Sequence, residues 1–399
     1  VMPPHELVAV LGADSPIGLT VIRELGRHGV PVLALGGSAL SLGRHSRYTR
    51  KFATIGKPLA DWLPSFVAEH RVSAIMAISE HHLIELAKLA PQLVGCKVLS
   101  PASEQLALVL DKRRTLEFAE TLGMSVPDSW QPVPDSDFAA KAASLHYPVA
   151  VKWPSPPDIL DQLNAAGIAF EKVDYATDAS QLLQILGRYD RLNQWPLVQT
   201  WCPGFGLGQM LMMQDGKATL RFQHQRLREW PPTGGVSSLA RSLPLDRHAE
   251  QMQRSEALLA AMDWSGPAMV EYRYDPQTHR YWLMEVNGRF WGSLPLASSC
   301  GAEFAWEYYR RFGREDRTDR EARSRDGRSR FVAPDVKHLW VQLTNKSASL
   351  SQKLRLSAQF LGEFFNPKTR YYVWSADDPK PFFGDLIDST RRRSRKGKS

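Results

Sequence analysis

Val270–Arg289 reads VEYRYDPQTHRYWLMEVNGR, and its acids and amide are placed to do chemistry. Two runs of alternating strand-formers, Met269–Tyr274 and Tyr281–Val286, flank the turn-rich Asp275-Pro276-Gln277-Thr278-His279, the pattern of a β-hairpin. Folding about Gln277–Thr278 brings Glu271 opposite, or one step from, Glu285. Asn287 shares the Glu285 face because strand side chains alternate with period 2. Facing carboxylates destabilise a hairpin, so this arrangement asks for a cation or a buried arginine. Two carboxylates and an amide oxygen, with Arg289 on the same face, suit a hard divalent ion such as Mg²⁺ that also holds phosphates. The plainer alternative is a surface hairpin whose acids pair with Arg273 and Arg280.

The elements that must position this hairpin are α/β in character. At 399 residues the chain implies two to four packed subdomains. Its 43% hydrophobic and 23% charged residues are ordinary for a globular protein. Leu7–Leu11, the turn GADSPIG, the amphipathic Leu19–His28 and Pro31–Leu35 make a β-α-β opening. The alternation continues through Trp62–Glu69 (helix), Ala74–Ile78 (strand), His82–Leu89 (helix) and Lys97–Leu99 (strand), predicting a parallel sheet over about the first hundred residues. GADSPIG lacks G-x-G-x-x-G spacing, and no acid closes the second strand, which argues against NAD. The turn still offers an anion a helix N-terminus.

Further on, Lys112–Gly123 reads as a helix ended by glycine, and Pro148–Lys152 as a strand carrying a lysine at its end. Leu197–Gln199 is a strand, and Leu211–Met213 with Ala218–Gln223 is a hairpin turning at Asp215-Gly216. Gly204, Gly206 and Gly208 imitate a kinase phosphate loop, but no β3 lysine or HRD-type sequence follows, so they read as turn glycines. Glu303 to about Arg314 is helical, Arg317–Arg330 reads as a charged linker or mobile loop, and Val336–Phe365 looks helical.

In order and spacing these pieces resemble the ATP-grasp superfamily, specifically its carboxylate–amine ligases with an N-terminal Rossmann-like domain. The resemblance spans about Leu7 to Gly301, and its most specific element is Glu285-Val286-Asn287-Gly288-Arg289, which fits the E-x-N-x-R motif. It implies an N-terminal Rossmann-like parallel sheet, a two-subdomain α+β ATP-grasp fold and a C-terminal helical and aromatic extension. The corresponding boundaries are 1–108, 109–200 (lid), 201–315 (metal hairpin), 316–332 (linker), 333–388 (extension) and 389–399 (basic tail).

The same resemblance makes Glu271, Glu285 and Asn287 the metal ligands and Lys112 and Lys152 the nucleotide lysines. Gln199, Thr200, Trp201, Cys202 and Met284 become the adenine hinge and its walls. The cofactors implied are ATP and Mg²⁺, with Mn²⁺ as the other hard ion that fits. Arg289, with Arg226 or Arg228 from Arg226–Ser238, is expected to hold an acyl phosphate, and Gly292-Ser293 to lie beside it. Either lysine has the alternative of a solvated side chain, and Arg226 and Arg228 that of pairing with Glu229. Where relatives carry a Gly-rich lid, this chain has Pro154-Ser155-Pro156-Pro157-Asp158 and a polar stretch to Gly167, with Lys172 as another lid candidate.

The implied activity is ATP-dependent amide formation from a small carboxylate, such as an amino acid, and an amine. The alternatives are small-molecule phosphorylation, ligation to a thiol and, remotely, nucleic-acid binding without catalysis. That last reading would use the basic Arg391–Ser399, which carries much of the +8 net charge. No nucleic acid is otherwise expected. No apolar run spans a bilayer and no leader pattern opens the chain, so a cytoplasmic protein is expected. Cys96, Cys202 and Cys300 form neither a disulfide framework nor a zinc site. Trp340, Phe360, Phe364, Tyr371, Tyr372 and Trp374 are expected to frame a substrate pocket, a homodimer contact or simply core.

Overall fold

The computed structural model describes residues 7–154, 156–171, 173–232, 235–319, 324–345 and 347–386. Two compact units emerge, neither of them contiguous: residues 1–106, 207–269 and 287–399 form the first, and residues 107–206 with 270–286 form the second. The tail Arg391–Ser399 and the lid candidate Lys172 lie outside the described residues.

The first unit opens with a five-stranded parallel sheet of order β3-β2-β1-β4-β5. Its strands are β1 (Leu7–Leu11), β2 (Val32–Gly36), β3 (Thr49–Thr54), β4 (Val72–Ala77) and β5 (Lys97–Leu99). β1 is buried along its whole length because helices cover both faces of such a sheet. The following helix, Pro16–Arg27, starts where Ser15 Oγ accepts from Gly18 N and proline occupies its first turn. A Cβ on Gly18 would lie 2.2 Å from Gly12 O, so glycine is what lets strand and helix close this turn. An acid already serves the surrounding donors: Asp14 accepts from Gly37 N at 2.8 Å and from the Ser41 hydroxyl. Strand β3, absent from the sequence reading, is an edge strand with no fully buried residue, and TRKFAT carries no apolar alternation to reveal it.

The second unit contains a four-stranded antiparallel sheet, order β6-β9-β7-β8, from β6 (Ser129–Trp130), β7 (Val149–Lys152), β8 (Asp174–Ala176) and β9 (Leu197–Thr200). On β7, Val149 and Val151 enter a core with Trp153, Ile159, Leu163, Leu182 and Leu186. Alternation then turns Ala150 and Lys152 to the other face. The proline-rich, polar segment that stands in the lid position forms the helix Pro156–Ala165, because Ile159 and Leu163, one turn apart, are both buried in that core.

The chain then enters β10 (Phe205–Gln214), β11 (Lys217–Trp230) and β12 (Val236–Ser242), with β10 antiparallel to β11 and β11 antiparallel to β12. Gly206 and Gly208 lie within β10 rather than in turns. The segment from Arg226 to Ser238, expected as a loop, is mostly strand. Arg226–Trp230 ends β11 and Val236–Ser238 begins β12. Next come β13 (Gly266–Asp275) and β14 (Arg280–Asn287), the predicted hairpin. In the first unit β10, β11 and β12 continue into β15 (Arg328–Arg330) and β16 (Thr369–Tyr371).

β15 corrects the linker expectation for Arg328–Arg330. Its register pairs Leu239 with Arg330, and the Arg330 side chain is fully buried. Arg330 Nε donates to buried Asp335 Oδ2 at 2.6 Å, and its guanidinium lies 4.1 and 4.2 Å from the Phe360 and Phe364 ring centroids. A charged sequence reads as solvated, whereas this arginine is neutralised and stacked inside the fold. Helices Val332–Thr344 and Leu350–Gly362 follow, the latter opened by a Ser349/Gln352 capping box.

The C-terminal segment is tied back to the parallel sheet of the same unit. Fully buried Asp378 accepts from Arg23 Nε at 3.0 Å, Ser46 Oγ at 2.7 Å and Arg47 N at 2.9 Å. Asp377 receives Arg27 Nε at 2.9 Å and Tyr48 Oη at 2.9 Å. Replacing Asp378 by alanine strands the buried Arg23 charge. The expected loss is about 3–5 kcal/mol of unfolding free energy, read as a lower denaturant midpoint, with Asp377→Ala costing less because that acid is partly exposed.

Candidate functional site

The second unit holds nine of the expected site residues, four of which form a charge cluster. The hairpin turn is held by Asp275, whose Oδ1 accepts from Gln277 N at 3.0 Å and whose Oδ2 accepts from Thr278 Oγ1 at 2.7 Å. His279 closes it at φ 55°. Leu283 N donates to Ser125 O at 2.9 Å, fixing β14 against the segment after helix Lys112–Thr121. That helix is N-capped by Asp111, which accepts from Arg113 N and Arg114 N, so Lys112 stands in its first turn.

From there Lys112 Nζ reaches Glu285 Oε2 at 2.7 Å. The ammonium of Lys152, on the back face of β7, is packed close enough to feel Lys112, Glu285 and Glu271. Burial, reinforced by the Lys112 charge, pushes it down to about 8; the two carboxylates oppose the shift. Glu285 thus pairs with a lysine rather than with Arg280, whose guanidinium lies over the Trp282 ring at 4.9 Å. Arg273 Nη2 donates to Gly204 O at 2.7 Å. Gly204 is at φ 90°, and a Cβ there would lie 2.0 Å from Tyr274 O, so only glycine lets the chain cross the hairpin this closely.

The expected hinge lies at the end of β9. Gln199 is buried and donates Nε2 to Ser129 Oγ at 3.0 Å, while its Oε1 is buried without a hydrogen-bond partner. Trp201 N donates to Pro148 O at 3.1 Å, and its indole is substantially exposed. Thr200 N donates to Asp128 O at 2.9 Å, and burial pushes the Cys202 thiol up to about 11, which removes it as a nucleophile. Met284 is half-buried on β14 beside Glu285. Among the described residues, no three His, Cys, Asp or Glu side chains cluster as a self-sufficient metal site.

The remaining expected residues belong to the first unit. Asn287 ends β14, two positions after Glu285 and so on the same strand face. Arg289 donates Nε to Glu80 Oε1 at 2.9 Å and Nη1 to Phe290 O at 3.1 Å. Arg226 donates to Gly235 O at 3.3 Å and lies 3.7 Å from Glu229, as the plainer reading of that segment expected. Arg228 instead donates Nη2 to Asp335 Oδ2 at 2.9 Å. Ser293 Oγ lies 3.0 Å from Nδ1 of His224, an imidazole that burial pushes down to about 3 and so keeps neutral. Glu80, Ser129 and Asp335 escaped the sequence reading because each acts on a partner 70 or more residues away, with no local motif.

No family model matches the sequence, and no curated protein matches it. Solved structures do. The biotin carboxylase domain of Hydrogenobacter thermophilus 2-oxoglutarate carboxylase, solved with MgADP, ADP and bicarbonate, matches over 82% of this chain and 74% of its own, with TM-score 0.63 and 14% identity. An L-amino acid ligase from Bacillus licheniformis matches over 82% and 80%, with TM-score 0.61 and 15% identity. N5-carboxyaminoimidazole synthetase from Staphylococcus aureus matches over 78% of each chain, with TM-score 0.58 and 12% identity.

The fold is the ATP-grasp fold. Its Rossmann-like opening and its glutamate-bearing hairpin are among the parts that the sequence pattern anticipated.

The charge cluster makes a prediction independent of any substrate. Lys152 should react with an acylating reagent with an apparent pKa near 8, against about 10.4 for an ordinary lysine. Lys112→Ala should move that midpoint up and Glu285→Gln should move it down, since the first lowers and the second raises it. Site-resolved mass spectrometry over a pH series reads both; a midpoint for Lys152 that neither variant moves would contradict the cluster.

Proposed function

We propose that this protein is an ATP-dependent carboxylate–amine ligase that forms an amide through an acyl phosphate, with an amino acid or another small carboxylate as substrate. The observation that carries the reading is the assembly of Lys112, Lys152, Glu271 and Glu285 in one unit: two ammonium groups set against two carboxylates. Phosphoryl transfer asks a protein for neutralisation and positioning more than for covalent chemistry, and this cluster supplies both.

Lys152 would bind phosphate oxygens, and their charge would restore the proton that burial weakens. Lys112 would exchange Glu285 for phosphate oxygens. The donor set of Glu271, Glu285 and the Asn287 amide is all oxygen, as Mg²⁺ requires, and Glu285 already draws a cation. Mg²⁺ held there would neutralise charge developing on the phosphates. The orphaned Gln199 Oε1 is an acceptor for the adenine amino group, and Trp201 and Met284 offer apolar walls. The neighbours' complexes with MgADP and ADP support the cofactor assignment.

In the reaction, a substrate carboxylate oxygen attacks the γ-phosphorus and the bond to ADP breaks. An amine nitrogen then attacks the acyl carbon, inorganic phosphate leaves, and the nitrogen loses a proton. Arg289, held by Glu80 through Nε, keeps N–H groups of the kind that bind a carboxylate or an acyl phosphate, the role the E-x-N-x-R resemblance implies for it. Arg226 is the better second candidate, because Arg228 is committed to Asp335.

An ADP-release screen over amino acids and small carboxylates with Mg²⁺ tests the reading. Turnover should appear with one class, and hydroxylamine should trap the intermediate as a hydroxamate. Glu285→Gln and Lys152→Ala should each cut the rate by about 10²–10³-fold while remaining folded. ADP release with a phosphorylated product and no hydroxamate would replace the ligase with a kinase.

Nucleotide affinity should also fall as pH rises above about 8, because only the ammonium form of Lys152 attracts phosphate. Binding near pH 8 should take up a proton, measurable calorimetrically in buffers of different ionisation enthalpy; the Lys152→Ala variant should show no uptake at that pH.

A further inference from the structure

We infer that the C-terminal helical pair of the first unit is a docking face for an anionic lipid surface. Helix Leu350–Gly362 contains no buried residue although it carries four leucines and a phenylalanine. Its inner side, Leu356 and Phe360, faces Leu339, His338 and Gln342 of the preceding helix around a small cavity. Its outer side carries Leu350, Leu354 and Leu361 at i, i+4 and i+11, which fall within about 40° of one another on a helix. These are 73%, 63% and 57% exposed, and Phe365 just beyond the helix is 85% exposed. The preceding helix adds Val336 and Trp340, one turn apart and both exposed. Large apolar side chains exposed on both helices of the pair mark a binding face.

Charge identifies what covers it. Lys337, Lys353, Arg355, Lys368 and Lys380 lie in the same segment, and none has an acidic ion-pair partner among the described residues. Four of the segment's five described acids are consumed by arginines, Asp335 by Arg228 and Arg330, Glu363 by Arg328, Asp377 by Arg27 and Asp378 by Arg23, which leaves Asp385 as the one exposed acid outside these pairs. The sequence continues into Arg391, Arg392, Arg393, Arg395, Lys396 and Lys398. A second copy of this face would bring like charges together, whereas an anionic bilayer accepts both halves: lysine and arginine at the headgroups, leucine, tryptophan and phenylalanine below them. No described helix is long and apolar enough to cross a membrane, so the chain would lie on the surface.

Flotation of the full chain with phosphatidylcholine vesicles, with and without about a third phosphatidylglycerol, tests the inference. The protein should float with the anionic vesicles and stay behind with the neutral ones. Leu354→Glu with Leu361→Glu should lower the bound fraction at least about tenfold, while Lys353→Gln with Arg355→Gln should weaken binding and flatten its salt dependence. Thermal melting by circular dichroism, unchanged from wild type, keeps a folding defect from imitating either result.

Three outcomes would overturn the inference. One is absence of flotation. Another is equal flotation of the Leu354/Leu361 variant, together with its unchanged binding to RNA, which would make the surface a polyanion site. The third is a dimer in sedimentation that the same variant dissolves without any vesicle binding, which would assign the face to a second copy.

Discussion

Like charges cannot be held together in a protein without counter-charges, and the second unit is arranged around that constraint. Glu271 and Glu285 on one hairpin would repel each other, as would Lys112 and Lys152. Set against each other, the four become mutually tolerable, and Lys112–Glu285 closes at 2.7 Å. The balance is incomplete, because burial still depresses Lys152 to about 8. A site that is slightly short of negative charge around one amine is what the proposed phosphate binding would require. Local structure assembles the cluster: alternation on β7 sends Val151 into the core and Lys152 to the opposite face, Asp111 caps the helix that starts with Lys112, and Asp275 holds the turn between the two glutamates.

The first unit uses ion pairs differently. Arg23–Asp378 and Arg330–Asp335 are sealed from water, where an ion pair contributes little net stability but a lost partner costs several kcal/mol. Such pairs specify which surfaces meet. Asp378 joins the end of the chain to Arg23, Ser46 and Arg47 of the parallel-sheet region, a distance of more than three hundred residues in sequence. The aromatic C-terminal residues divide accordingly. Tyr372 stacks on Phe331, Phe360 and Phe364 both pack against the Arg330 guanidinium, and Trp340 remains outside.

Legibility in the sequence followed the range of the interaction. The hairpin, the glycine-ended helix after Lys112, the lysine at the end of β7 and the turn at Asp215-Gly216 were readable because turn residues and period-2 alternation are local signals. Positive φ at Asp215 and Gly216 is what that dipeptide favours. Strand β3 was hidden because an edge strand need not alternate. Residues 156–165 looked like a polar lid because their prolines and aspartates outweigh the two apolar side chains that enter the core. Arg328–Arg330 looked like linker because sequence displays a charge and conceals its distant partner.

That last point sorts the three arginines proposed for chemistry. Arg226, Arg228 and Arg289 are equivalent as letters, yet their partners differ in exposure. Asp335 has no access to water, so drawing Arg228 away from it would leave a bare buried carboxylate, and that cost ties the guanidinium to structure. Glu80 is about a third exposed, so water can stabilise it while Arg289 leans toward a substrate, and the pair serves as an orienting hold. Arg226 donates to a backbone oxygen at 3.3 Å and lies 3.7 Å from Glu229, itself only 14% exposed. An arginine proposed to meet a transient acyl phosphate needs a partner that tolerates its absence, and by that measure Arg289 qualifies where Arg228 does not.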